Sequence, residues 1–212
     1  MQWTLVIPLK TLARAKSRLS DTAAAGLRPG LALAFAQDTV AAALASPAVG
    51  DVAVVTDDEL AGRELAALGA RIVSDEPGGG LNAALAHAAA VVRAARPACP
   101  VAALNADLPA LRPMELARVL DAAAEFPRAF LPDAAAIGTT LLAAAPEREL
   151  LPAFGHDSRA RHRASGAREL GLDSVDSVRQ DVDTGADLRA ALALGLGPRT
   201  AAVAARLLIP GQ

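Results

Sequence analysis

Two apolar patterns alternate along the chain. Short runs rich in Val, Leu and Ala, bounded by Gly, Pro, Asp and Asn, are separated by longer Ala/Leu stretches with helical spacing. The short runs predict strands over 4–9, 51–56, 71–74, 100–104, 129–131, 139–143 and 175–179. The longer ones predict helices over 31–44, 59–68, 81–95, 114–124, 158–170 and 186–194, with a C-terminal helix over 199–208 set off by the glycines at 195 and 197. Strands and helices in alternation are the mark of βαβ units, so the expected fold class is α/β, three layers around a mostly parallel sheet. Ligands of such sheets gather beyond the carboxyl ends of the strands, which directs attention to the loops that follow them.

Composition narrows the possibilities. The 212 residues, 53% hydrophobic and 21% charged with a formal net charge of −2, predict one globular domain over 1–212. A chain this long buries roughly 70% of its unfolded surface and needs no disulfide to hold a core. The lone Cys99 agrees, and with no basic leader and no apolar run of about 20 residues, a cytoplasmic protein is expected. A pI near 5.9, one Trp, four Phe and no Tyr argue against nucleic-acid binding. Alanine is heavily used, and of the 21 basic residues all but Lys10 and Lys16 are arginine, as a GC-rich coding bias produces. Where arginine serves for any generic positive charge, the two lysines mark positions that need a compact ammonium.

Both lysines fall in one loop. Lys10, Arg14, Lys16 and Arg18 follow the first strand within nine residues, an arrangement suited to a triphosphate. Neither a Walker A loop nor G-x-G-x-x-G accompanies it. Asp107 follows the strand over 100–104, and Asp181 and Asp183 stand two apart, on one side of an extended segment. Three carboxylates at one sheet edge suffice for one or two Mg²⁺ ions. Each also has a structural reading: Asp183 or Thr184 as the cap of the helix containing Asp187, and Asp107 as the cap of a turn before Pro109. Asp57 and Asp58 are read structurally, since Thr56-x-x-Glu59 is a capping box. The glycines at 78–80 open the way to a ligand, and Asn82 can pair with a base edge, which places Gly80 and Asn82 with the nucleotide. Further on, Gly138-Thr-Thr140 and Phe154-Gly155-His156-Asp157-Ser158 offer hydroxyls and glycine N–H groups to a small phosphorylated acid. Ser158 and His162 are poorly suited to be a nucleophile and its base, and His87 is read as structural.

Taken in order, VIPLKTLARAKSRL, VVTDDE, GGGLNAAL, LNADLPAL, GTTLL, FGHDSRARHRASGA and RQDVDTGADL resemble the 2-phospho-L-lactate and phosphoenolpyruvate guanylyltransferases of coenzyme F-420 biosynthesis. The resemblance runs from Val6 to Leu188. It implies a nucleotidyltransferase fold related to glycosyltransferase type A and Rossmann-like, and transfer of GMP from GTP to a three-carbon phospho-acid with release of pyrophosphate. It also implies that Lys10 and Lys16 lie near the GTP phosphates, that Asp107, Asp181 and Asp183 hold Mg²⁺, and that Thr140, Gly155 and Ser158 bind phosphoenolpyruvate. Lys16 and Asp107 are then the catalytic pair. The segment Ala136-Ile137 departs from the glycine-rich, polar pattern of the family. Phosphoenolpyruvate is the preferred acceptor, because the coding bias points to a bacterial member. A molybdopterin guanylyl or sugar-nucleotide transferase, or a non-catalytic nucleotide-binding domain, is the alternative. A homodimer, and hand-over of an unstable product to the next pathway enzyme, are left open.

Overall fold

The computed structural model describes residues 1–12, 28–75 and 79–207. Its strands are β1 (Trp3–Pro8), β2 (Val49–Val55), β3 (Arg71–Val73), β4 (Val101–Leu104), β5 (Arg128–Pro132), β6 (Thr139–Ala144) and β7 (Arg168–Glu169). Its helices are α1 (Arg28–Leu44), α2 (Glu59–Ala66), α3 (Leu81–Ala95), α4 (Pro113–Ala123), α5 (Ser158–Ala164), α6 (Asp176–Arg179), α7 (Gly185–Leu194) and α8 (Pro198–Leu207). All seven strands join one sheet in the order β3-β2-β1-β4-β6-β5-β7. β6 pairs antiparallel with β4 and β5, and the remaining pairings are parallel. The carboxyl ends of β1, β2, β4 and β5 and the start of β6 therefore meet at one edge.

Strand β4 shows why the layers form. Ala102 and Leu104 face a core shared with α1 and α4, where Ala36, Val40, Leu116 and Leu120 pack. Val101 and Ala103 face the opposite core, against Ala84, Leu85, Ala88 and Val92 of α3. A strand buried on both faces, flanked by helices that each carry one apolar stripe, closes as helix, sheet, helix.

Two predicted elements are different in the structure. The segment 175–179, read as a strand for its valines, contains helix α6. Val175 and Val178, three apart, are both buried in the same core, which helical geometry allows and strand alternation, placing them on opposite faces, does not. The helix predicted over 158–170 ends at Ala164, because Gly166 turns the chain at φ +83° and its N–H donates to Arg163 O. The residues beyond it pair with β5 as β7, whose Glu169 is held by Arg159 at 2.8 Å and by Arg163. The cap of α2 is Asp58 rather than Thr56: its Oδ1 accepts the Ala61 N–H at 3.0 Å and its Oδ2 the Leu12 N–H at 2.9 Å. These N–H donors hold the Asp58 carboxyl below the usual carboxylate range.

Helix α8 is tied down from a distance. Asp38, buried on α1, accepts the N–H groups of Arg199 and Thr200 at 3.2 and 2.7 Å. A Cβ at Gly197 would stand 2.4 Å from Asp38 Cγ, so glycine lets the chain reach its cap. Among the described residues no helix is long and apolar enough to cross a membrane.

Candidate functional site

A cavity of about 660 Å³ opens at the edge where the strand ends converge. Lys10 reaches it from β1, Asp107 from β4, Asp133 from β5, Gly138 and Thr139 from the start of β6, and Gly155 and Ser158 from the loop entering α5. Asp181 and Asp183 line it from the segment between α6 and α7.

One backbone hydrogen bond brings the acidic residues together, from the Val182 N–H to Asp107 O at 3.1 Å. Asn105 Nδ2 approaches Asp181 Oδ2 at 3.4 Å, and its backbone N–H donates to Thr140 O. Of the two possible caps of α7 the structure uses Thr184: Asp187 Oδ2 accepts the Thr184 and Asp183 N–H groups, completing a capping box. Capping therefore does not require the Asp183 carboxylate. Among the described residues no three His, Cys, Asp or Glu side chains form a group that could hold a metal ion by themselves. Oxygen donors spread along a cavity wall instead suit Mg²⁺, which commonly takes one or two carboxylates and completes its shell with phosphate and water.

The residues expected at the nucleotide are placed unevenly. Lys10 is exposed and lines the cavity. Lys16 and Arg18 lie outside the described residues. Gly80, at φ +86°, is the N-cap of α3, and its neighbour Leu81 lines the cavity. Asn82, expected at a base edge, also has a structural partner. Its Oδ1 accepts the Phe154 N–H at 2.7 Å and its Nδ2 donates to Phe154 O at 3.1 Å. An amide's paired acceptor and donor match one residue's backbone, so Asn82 fastens α3 to the loop that carries Gly155.

That loop is built around glycine and a buried imidazole. Gly155 stands at φ +112°, a backbone that L side chains rarely adopt, while Arg161 donates to Phe154 O and His156 O on either side. Ser158 is buried and lines the cavity. The Ala136-Ile137 departure is accommodated as well: Ala136 takes φ +57°, and Asp133 accepts the N–H groups of Ile137 and Gly138 at 2.9 and 2.8 Å. Thr140, expected at the acceptor, is set behind the residues that line the cavity. It is fully buried, its hydroxyl has no hydrogen-bond partner among the described residues, and Thr139 is the threonine that lines the cavity.

His162, fully buried beside Phe130 and Phe154, lies behind the site. Burial, reinforced by the Arg128 and Arg161 guanidiniums, pushes its pKa down to about 4. The unfolded chain takes up this proton near pH 6.5, whereas the folded chain resists it until about pH 4. Folding stability is thus expected to fall as pH drops from about 6.5 to 4, by up to about 3 kcal/mol from this residue. Urea unfolding across that range, compared with His162→Phe, checks it; an identical pH slope in the variant would remove His162 as the cause.

Sequence reading missed Asn105 and Asp133 at the cavity, and of the two hydroxyls in Gly138-Thr-Thr140 it assigned that of Thr140, not Thr139, to the acceptor. Asn105 stands two residues before Asp107 and carried a usable signal. Thr139 did not, because the pairing register shifts between Leu131 and Pro132, opposite the start of β6, and simple alternation fails there.

Residues 3–205 match the family described as guanylyl transferase CofC like. The phosphoenolpyruvate guanylyltransferase of Streptomyces avermitilis is 87% identical over 211 residues, covering 100% of this chain and 98% of that protein. That of Streptomyces coelicolor is 84% identical over 212 residues, with 100% of both chains covered. Among solved structures, a nucleotidyl transferase from Methanothermobacter thermautotrophicus superposes with a TM-score of 0.68 at 24% identity, over 91% of this chain and 97% of that one. The expected nucleotidyltransferase fold is therefore present.

Proposed function

Since this chain belongs to the CofC-like guanylyl transferases, we propose that it transfers GMP from GTP to phosphoenolpyruvate, forming enolpyruvyl-diphospho-guanosine and pyrophosphate in coenzyme F-420 biosynthesis. Proteins 84% and 87% identical to it carry the name phosphoenolpyruvate guanylyltransferase. The observation that carries the reading is the convergence of Lys10, Asp107, Asp181, Asp183 and the Gly155–Ser158 loop on one cavity at the sheet's ligand edge.

Chemically, an oxygen of the acceptor's phosphate attacks the α-phosphorus of GTP, and the bond to the departing pyrophosphate breaks. The attacking oxygen is already ionised at neutral pH, so no side-chain nucleophile is needed and the protein's work is to position the reactants and stabilise charge. Asp107, Asp181 and Asp183 would hold Mg²⁺, which when bound offsets the negative charge on the phosphates. Lys10 and Lys16 bind the phosphate oxygens of the nucleotide, and Gly155 and Ser158 the acid. The reading places the protein in the cytoplasm.

Incubation with GTP, Mg²⁺ and either phosphoenolpyruvate or 2-phospho-L-lactate, followed by pyrophosphate release, tests it. Faster turnover with phosphoenolpyruvate is expected. A preference for 2-phospho-L-lactate overturns the acceptor, and no release with either overturns the reading. Ser158→Ala is expected to raise the KM for the acceptor far more than that for GTP, by a factor equivalent to roughly 1–3 kcal/mol. An unchanged acceptor KM in this variant would place the acid elsewhere.

A further inference from the structure

The hydrogen bonds of His162 have a direction. Its Nε2 lies 2.9 Å from the Ala153 backbone nitrogen, which can only donate, so Nε2 must present a lone pair. The ring is neutral near pH 7, given its lowered pKa of about 4, and its single proton is therefore on Nδ1. Nδ1 lies 2.9 Å from Thr139 Oγ1, so the imidazole donates to the hydroxyl. Among the described residues the ring is the one hydrogen-bond partner of that hydroxyl, whose own proton must then point away from the ring. Thr139 lines the cavity together with Ser158, and a Cβ built on the intervening Gly138 would stand 3.8 Å from Ser158 Oγ. The start of β6 and the start of α5 thus lie close together on the wall of one cavity.

We propose that Thr139 donates a hydrogen bond to an oxyanion of the phosphorylated acceptor, and that His162 is the positioning residue that directs this proton into the cavity, an inference resting on the acceptor site described above. The relay runs from the Ala153 N–H through the imidazole to the threonine hydroxyl and on to the acid. With the opposite tautomer, the hydroxyl would spend its proton on the ring and turn a lone pair toward an anion. Phe130 and Phe154 pack against the imidazole, with ring centroids 5.7 and 5.0 Å away, and hold its plane in place.

The test is steady-state kinetics of the full chain with GTP and phosphoenolpyruvate, with KM determined for each. Thr139→Val, which keeps the side chain's shape, is expected to raise the acceptor KM about tenfold to a hundredfold, as loss of a hydrogen bond to a charged group does. The GTP KM should stay within about twofold, and Thr139→Ser should restore most of the loss. His162→Phe should reproduce the Thr139→Val phenotype, and the double variant should be little worse than either single one, because both remove the same bond. His162→Gln, which retains a donor and an acceptor, should approach wild-type behaviour and keeps the comparison open if the phenylalanine variant fails to fold. A wild-type acceptor KM in Thr139→Val, measured on an enzyme active with phosphoenolpyruvate, overturns the proposal alone. Additive losses in the double variant, or a GTP KM raised equally, overturn the role given to His162. An inactive wild-type enzyme overturns the functional reading and this inference together.

Discussion

Asp107→Asn is expected to lower the rate of pyrophosphate release roughly a hundredfold to a thousandfold, the range seen when one preorganised charge-stabilising group is lost. The exchange preserves size and an oxygen but removes the charge needed to hold a divalent ion against the triphosphate. The fold should survive, since the exchange leaves intact the Asp107 backbone carbonyl, which accepts the Val182 N–H and joins this strand end to the neighbouring acidic loop. The variant's urea-unfolding midpoint should therefore stay near wild type while turnover collapses. Wild-type turnover in Asp107→Asn, or undiminished wild-type activity in excess EDTA, would take the metal out of the mechanism.

The second large effect is expected at the lysines. Lys10→Ala and Lys16→Ala should each lower kcat/KM for GTP about tenfold to a hundredfold, the equivalent of a lost charge-assisted hydrogen bond. Lys16→Arg should recover only part of that, because a forked guanidinium cannot take the place of a compact ammonium among phosphate oxygens. Lys10 lines the cavity, which ties its effect to the bound nucleotide. The informative control is Arg18→Lys: if it harms GTP turnover more than Lys16→Arg does, the scarcity of lysine in this chain carries no functional information.

Much of the site could be read along the chain because the fold class brings strand ends to one edge. Lys10, Asp107 and Gly155 each follow an apolar segment, and the structure places all three on the cavity wall. Asn82 and Thr140 were not legible. Asn82 sits where a glycine-rich turn enters a helix, a good place for a nucleotide contact, yet its amide is engaged by Phe154, 72 residues away. Choosing between Thr139 and Thr140 required the strand register, which depends on how β5 and β6 bulge against each other.

Local periodicity sufficed for most of the secondary structure, because period 2 and period 3.6 are properties of neighbouring residues and need no long-range contact. It misled at 175–179, where a run with valines folds as a turn of helix since Val175 and Val178 both meet one core. Motif order sufficed for the family, because a chemistry of triphosphate, divalent ion and small acid calls for distinct residue types at successive strand ends. The orientation of each polar group came from packing. The tautomer of His162, the proton direction at Thr139 and the clamp between Asn82 and Phe154 are set by partners 9, 23 and 72 residues distant, brought within hydrogen-bond range when the sheet closes. A hydrogen bond depends on distances of a few tenths of an ångström and on angle. Sequence spacing constrains neither until the chain has folded.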